Sequence, residues 1–333
     1  MEQVRVGIIG CGGFARGMHI PNLRANPSFQ IVATCDVDEG AAHAALADAG
    51  ALYATTDVDA LLGDPDVDAV IITTRHNAHA ELSVRAARAG KHILCEKPMG
   101  LNMGECRQVA EAVSAAGVAY SVGYNRGMAP LVRAAIAHLR AAPAKQLIYH
   151  RIQAPFPASH WTHDPAIGGG RFVGEGCHIF DLLCELVGAP PVSVHAAGGT
   201  FLDPARVRIP DSGIVTVTFA DGSVGATLIA SDGCPAFPKE ATEVYWGGRA
   251  LYLDNYRELA VYDADGLVER QTLPEVDKGH RVELERWADA ILAGAPPPNG
   301  LEQAMRAALI SYKALDALAT GQAQPIAASE YAL

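Results

Sequence analysis

What the chain lacks narrows its class first. No apolar run approaches the roughly eighteen residues that a membrane-crossing helix needs. Basic residues are in deficit as well: 26 Lys and Arg stand against 37 Asp and Glu, and the net charge of −11 repels polyanions. Nucleic acid and anionic membranes are therefore not expected partners. The seven cysteines, at positions 11, 35, 95, 106, 177, 184 and 234, form neither CxxC pairs nor an even disulfide framework, so reduced thiols are expected. The first residues pass directly into VRVGIIG, without a basic segment, a long apolar segment or a cleavage site. A cytoplasmic, unexported protein is the expectation. Internal repeats of about twenty to fifty residues and low-complexity tracts are also missing.

What is present divides into two textures. From residue 4 to about residue 122, short β-branched runs (VRVGIIG, QIVATCD, AVIITT, HILCEK, AYSVGY) alternate with Ala-rich segments such as AAHAALADAG and HAELSVRAARAG. Continuous apolar strands separated by helices predict an α/β domain over residues 1–122, with a parallel, doubly wound sheet covered on both faces. Beyond it come longer, alternating runs: QLIYHRIQ, SGIVTVTFADGSVGATLIAS and ATEVYWGGRALYLDNYRELAVYDADG. The turn signals Asp221-Gly222, Gly247-Gly248 and Asp263-Ala264-Asp265-Gly266 join them, which predicts an α+β domain over residues 123–333 with a large, open, mainly antiparallel sheet. RVELERWADAILAG and LEQAMRAALISYKALDALATG read as closing helices, stopped by Gly294 and Gly321.

The clearest chemical motif opens the chain. In VGIIGCGGFARGMH, Gly10, Gly12 and Ala15 spell GxGxxA after a strand and before a helix, the context in which this pattern binds a dinucleotide. Gly10 suits the tight turn, Gly12 and Gly13 admit a pyrophosphate to the backbone beside Phe14, and Ala15 lets helix and strand pack closely. QIVATCD ends at Asp36, placed to accept hydrogen bonds from an adenosine ribose. Val37 and Asp38 follow with no Arg or Lys for a 2′-phosphate, so NAD is expected over NADP. A solvated strand end is the plainer reading of Asp36.

Further on, HILCEKPMG ends a strand in Glu96-Lys97-Pro98, and GEGCHIFDLLCEL, residues 174–186, reads as an amphipathic helix carrying Glu175, His178 and Asp181. VGIIGCGGFA, ITTRHNAHAEL, GKHILCEKPM and GGGRFVGEGCHIFD occur in an order and spacing that resembles the Gfo/Idh/MocA oxidoreductases, nicotinamide-dependent enzymes of sugars and cyclitols. The resemblance runs over essentially the whole chain. It implies an N-terminal Rossmann domain, a C-terminal α+β domain with an open sheet, and catalysis in a cleft between them. Lys97 then corresponds to the lysine that binds the reacting oxygen, Glu96 to the acid near the nicotinamide ribose or carboxamide, and Pro98 to the turn that aims them. Thr73, Thr74 and His79 correspond to the loop beside the cofactor, and Asn125 to a polar residue near the nicotinamide end. Arg75 and His76 depart from the usual Pro and Asn, and Arg75 is a candidate substrate contact. A second departure lies four residues before His178, where Gly174 replaces the usual acid. Glu175 is therefore a rearranged partner of His178, a substrate contact or a surface group.

The chemistry has its own logic. Oxidising a secondary alcohol needs a hydride acceptor and a base for the hydroxyl proton, and an amine beside a cationic nicotinamide ring serves as one. Lys97 is that candidate, with His178 relaying the proton. His160, Trp161 and His163 in HWTHDPAIGGGRF suit a polyhydroxylated ring, because sugars stack on aromatics and hydrogen-bond to imidazoles. Two histidines three apart are too few for a metal, and none is expected. The leading reading is an NAD-dependent dehydrogenase of a sugar, glycoside or cyclitol, assembled by family analogy as a homodimer or homotetramer. Two alternatives stay open: a redox-neutral enzyme that cleaves or epimerises glycosides with recycled NAD, and a non-catalytic NAD-binding regulator.

Overall fold

The computed structural model describes residues 2–333. Two compact units emerge, one of residues 2–124 with 280–305 and Leu333, the other of residues 125–279 with 306–332.

In the first unit, six strands align in parallel: β1 (Val4–Ile9), β2 (Phe29–Cys35), β3 (Tyr53–Thr55), β4 (Ala69–Ile72), β5 (His92–Cys95) and β6 (Tyr120–Val122). Their order is β3-β2-β1-β4-β5-β6, so the chain reverses direction across the sheet at the β1/β4 junction. Loops leaving the carboxyl ends of β1 and β4 therefore open a crevice, the place where such sheets hold ligands. β1 and β4 are buried almost throughout, as strands covered on both faces must be. The helices are α1 (Ile20–Ala25), α2 (Glu39–Ala49), α3 (Val58–Gly63), α4 (His79–Arg88) and α5 (Met103–Ala116). Local chemistry sets their ends. The Asp38 side chain caps α2 by accepting from Ala41 N, and Asn102 caps α5 by accepting from Glu105 N. Gly50 and Gly117 then close these two helices in the left-handed region.

The second unit is built on nine strands: β7 (Gln146–Gln153), β8 (Pro191–Gly199), β9 (Ser212–Phe219), β10 (Val224–Ala230), β11 (Glu240–Trp246), β12 (Arg249–Asp254), β13 (Glu258–Asp263), β14 (Gly266–Thr272) and β15 (Gln324–Pro325). All three turn signals fall between consecutive strands as expected. Their order is β14-β13-β12-β11-β7-β10-β9-β8-β15, and every neighbouring pair is antiparallel except β7 with β10. The sheet is thus mixed, with its one parallel pair near the centre. α6 (Pro130–Ala141) and α7 (Cys177–Val187) pack on one face. The opposite face carries Leu147, Tyr245 and Tyr262 in one cross-strand row through Ala250, all three of them exposed.

α7 corrects one expectation. The amphipathic pattern predicted a polar edge, yet Cys177 to Cys184 are all buried, His178 and Asp181 included. The residues before it, Phe172–Gly176, form a π turn rather than more α-helix. The closing helices are α8 (His280–Ala293) and α9 (Leu301–Thr320), with Gly294 and Gly321 at positive φ after them. α8 belongs to the first unit, where Trp287 stacks on Phe29 at 6.0 Å and joins Leu284 and Ala288 in the core around β1. No helix among the described residues is long and apolar enough to cross a membrane.

Candidate active site

The crevice of the first unit begins at Gly10, whose φ of +94° favours glycine and whose added Cβ would stand 2.7 Å from the Thr73 and Thr74 backbone. Thr73 closes that approach by donating from Oγ1 to the Gly10 carbonyl. Beyond it, a Cβ built on Gly12 or Gly13 would meet nothing within 4 Å, so the loop presents bare backbone to open space, as a pyrophosphate requires. Ala15 is buried, Phe14 is half exposed, and a π turn over Ala15–His19 begins the helical run. Asp36 leaves the end of β2 and points at the same loop. Its Oδ2 accepts from Cys11 N at 2.7 Å and its Oδ1 from Asp38 N at 3.0 Å, which fixes the carboxylate against the glycine loop. These residues fit a dinucleotide.

The Glu96-Lys97-Pro98 turn follows β5, and the Lys97–Pro98 peptide is cis. Two histidines brace it. His79, wholly buried at the start of α4, places Nδ1 2.8 Å from the Pro98 carbonyl and Nε2 3.2 Å from the Thr74 carbonyl, tying the β4 loop to the turn. Burial is the main cause of its lowered pKa, against the two carbonyls that favour the charged ring. His19, from the π turn, sets Nε2 2.8 Å from Glu96 Oε1. Burial opposes the charge on Glu96, but the hydrogen bond and charge of His19, with Lys97 and His280, hold its pKa below the usual carboxylate value. Gly123 makes room for this acid, since a Cβ there would stand 2.9 Å from Glu96 Oε1. Lys97 is part-exposed and Arg75 is exposed.

In the second unit, a buried charge cluster underlies the expected substrate residues. Asn125 is 2% exposed and donates to the Lys278 carbonyl at 2.7 Å. Its neighbour Arg126 makes a two-pronged ion pair with Glu240 at 2.8 and 2.9 Å. Glu240 also receives Tyr256 Oη at 2.9 Å and Lys278 Nζ at 2.5 Å, and despite its burial these cations hold its pKa far below the usual carboxylate value. Glu175, standing in the π turn, is 7% exposed, 3.0 Å from Lys239 Nζ and 3.5 Å from Arg126. It is an internal ion-pair partner, not a surface group.

His160 stacks on Phe156 at 4.4 Å and sits 5.6 Å from the Trp161 ring, while Arg171 covers the other ring contact of Phe156 at 4.9 Å. His163 is buried, and burial followed by the Arg171 charge lowers its pKa. The structure thus brings Gly10, Gly12, Gly13, Asp36, Thr73, Thr74, Glu96 and Lys97 to one edge of the first sheet, and collects Asn125, His160, Trp161, His163 and Glu175 around the second unit's buried cations. Sequence reasoning missed His19, Arg126, Arg171, Lys239, Glu240 and Lys278. Only the adjacency of Arg126 to Asn125 and of Arg171 to the glycine run before the helix offered a signal.

Comparison with known proteins places the chain in a family. Residues 4–124 match the model of an oxidoreductase family with an NAD-binding Rossmann fold, and residues 144–246 match the GFO/IDH/MocA C-terminal domain. The scyllo-inositol 2-dehydrogenase (NAD(+)) of Bacillus subtilis is 30% identical over 89% of this chain and 88% of its own. The myo-inositol 2-dehydrogenase of Thermotoga maritima is 27% identical over 95% of this chain and 96% of its own. A levoglucosan dehydrogenase solved with NADH and levoglucosan shares the fold, with a TM-score of 0.88 at 20% identity over 97% of this chain and 99% of that one. With a glycine loop, an acid at the end of β2 and a braced Glu-Lys-Pro turn on the Rossmann sheet, and a matching second domain, the chain belongs to the Gfo/Idh/MocA family of NAD-dependent oxidoreductases.

Proposed function

We propose that the protein oxidises a secondary alcohol of a sugar, glycoside or cyclitol ring, or reduces the matching ketone, with Lys97 exchanging the hydroxyl proton and His178 assisting. The observation that carries this reading is the braced turn: His79 and His19 hold both sides of Glu96-Lys97-Pro98 beside the glycine loop. Bound NAD supplies the hydride acceptor. The Lys97 amine takes the hydroxyl proton, Glu96 keeps a negative charge next to that amine, and His178 passes the proton towards solvent. Asp36 supports NAD over NADP, since its carboxylate stands where a 2′-phosphate would bring like charge. The inositol dehydrogenases among the relatives support the ring-alcohol substrate class.

The open face of the second sheet supports a homodimer or homotetramer. Leu147, Tyr149, Tyr245, Tyr252 and Tyr262 lie exposed on strands whose other face is already packed, and a second copy would take that apolar surface out of water.

The test is NADH absorbance with a panel of sugars and cyclitols, each given NAD or NADP, for wild type and Lys97→Met. Wild type is expected to accumulate NADH with NAD. Lys97→Met is expected to keep NAD affinity while kcat falls about a hundredfold to ten-thousandfold, the usual worth of a placed proton acceptor. Substrate conversion without net NADH would replace this reading with the redox-neutral one, and a Lys97→Met enzyme of unchanged rate would remove Lys97 from the chemistry.

A further inference from the structure

Among the second unit's buried charges, Arg171 stands apart. It is 4% exposed, yet its Nε–H has no hydrogen-bond partner, and among the described residues no carboxylate comes within ion-pair distance of the guanidinium. Its contact is the face of Phe156, and burial, set against the more distant charges of Glu175 and Asp211, lowers its pKa. Neither carboxylate is at leave to pair with it. Glu175 is engaged by Lys239 and Arg126, and Asp211 accepts from Phe201 N, Leu202 N and Ser212 Oγ. Around Glu175 and Glu240, four cations (Arg126, Arg171, Lys239 and Lys278) thus face two carboxylates. A buried guanidinium left with unused donors is costly unless an acceptor arrives from elsewhere.

Position says what that acceptor is. Arg171 opens the π turn that carries Glu175 and runs on into α7 at His178, so the three belong to one helical run. Through Phe156 it also adjoins His160 and Trp161. It therefore sits among the residues offered above as the substrate side. A guanidinium makes two-pronged pairs with carboxylates and phosphates, and of the two the carboxylate shares its planar shape.

We propose that Arg171 is the carboxylate-binding residue of the substrate site, and that the ring this enzyme oxidises is a sugar acid of the uronate class, not a neutral cyclitol. The inference rests on the ring-alcohol reading and narrows it. Glu175, already neutralised by Lys239 and Arg126, leaves the Arg171 charge for the ligand.

The experiment compares D-glucuronate, D-galacturonate and D-mannuronate with their parent hexoses, hexose 6-phosphates and myo-inositol. It reads kcat/KM by NADH formation, and binding by calorimetry in the presence of NAD, for wild type, Arg171→Met and Arg171→Lys. In wild type at least one acid is expected to exceed its parent hexose by about tenfold to a hundredfold, the worth of a hydrogen bond to a charged group. Arg171→Met should erase most of that ratio, and Arg171→Lys, which keeps the charge and loses the fork, should fall between. The wild-type ratio stands even if the methionine variant does not fold. A preference for the parent hexoses, for inositol or for the 6-phosphates overturns the proposal, as does an equal loss on acid and neutral rings in Arg171→Met. Arg171-dependent binding of an acid without oxidation of any ring would uphold the subsite and sink the dehydrogenase reading. Oxidation of neutral rings with no acid bound more tightly would do the reverse.

Discussion

Acid is expected to loosen the second unit through one histidine. His150 lies on β7 with no exposure, its Nδ1 2.8 Å from Thr242 Oγ1. Burial pushes its pKa down to about 4; Glu240, 3.8 Å away, pulls upward, while Arg126 and Lys278 add to the depression. In the unfolded chain the same ring titrates near 6.5. Between those values the unfolded chain holds a proton that the folded chain refuses, so stability rises with pH across this window and is lost as pH falls through it. Above the window neither state is protonated at this ring, and below it both are. At about 1.4 kcal/mol per pH unit, the window is worth about 3 kcal/mol. Replacing His150 by Gln keeps a polar head for Thr242 and removes the proton site. Urea unfolding of both proteins between pH 7 and pH 4, followed by circular dichroism, isolates the effect, because the remaining carboxylates titrate alike in each and cancel on subtraction. A wild type that loses no more stability than His150→Gln over that range would refute the reasoning.

Two other perturbations test the scaffold. Trp287→Ala empties the space between α8 and Phe29 and should cost about 3–5 kcal/mol, read as a lowered urea midpoint with NAD protecting the protein less. Leu147→Asp combined with Tyr245→Asp places two charges in the exposed row of the second sheet and should reduce the mass seen by light scattering to that of one chain; an unchanged oligomer would show that this face is not the interface.

The legible parts of the fold share one property, which is that their signal is local. VRVGIIG followed by CGGFA carries strand, turn and helix within a dozen residues or so, and Gly10 leaves a trace because its backbone admits little else. Asp221-Gly222 and Gly247-Gly248 mark hairpins for the same reason. What escaped depends on distance along the chain. His19 meets Glu96 across 77 residues, and Arg126 meets Glu240 across 114, pairings that neither partner's neighbourhood announces. RVELERWADAILAG declares a helix but not which sheet Trp287 will cover. The direction of Glu175 was obscured for another reason. A step of about 100° per residue describes an α-helix, and Glu175 stands in a π turn, where that count fails. Such turns collect at functional positions, and both of those among the described residues adjoin a candidate site segment.

The return of α8 to the first sheet bears on how the protein comes into being during synthesis. β1 to β6 leave the ribosome before residue 125, but the Leu284, Trp287 and Ala288 side chains that complete the core around β1 arrive only after the whole second sheet up to β14 has been made. Until then the side of this core that α8 covers, the Phe29 ring included, lacks its final cover. The nascent NAD-binding unit is thus open to chaperones and to misassociation for the time that about 150 further residues take to emerge, roughly 10–30 s at common elongation rates. The nucleotide-binding unit, first to begin in sequence, thus closes only after β7 to β14 of the other unit have been made.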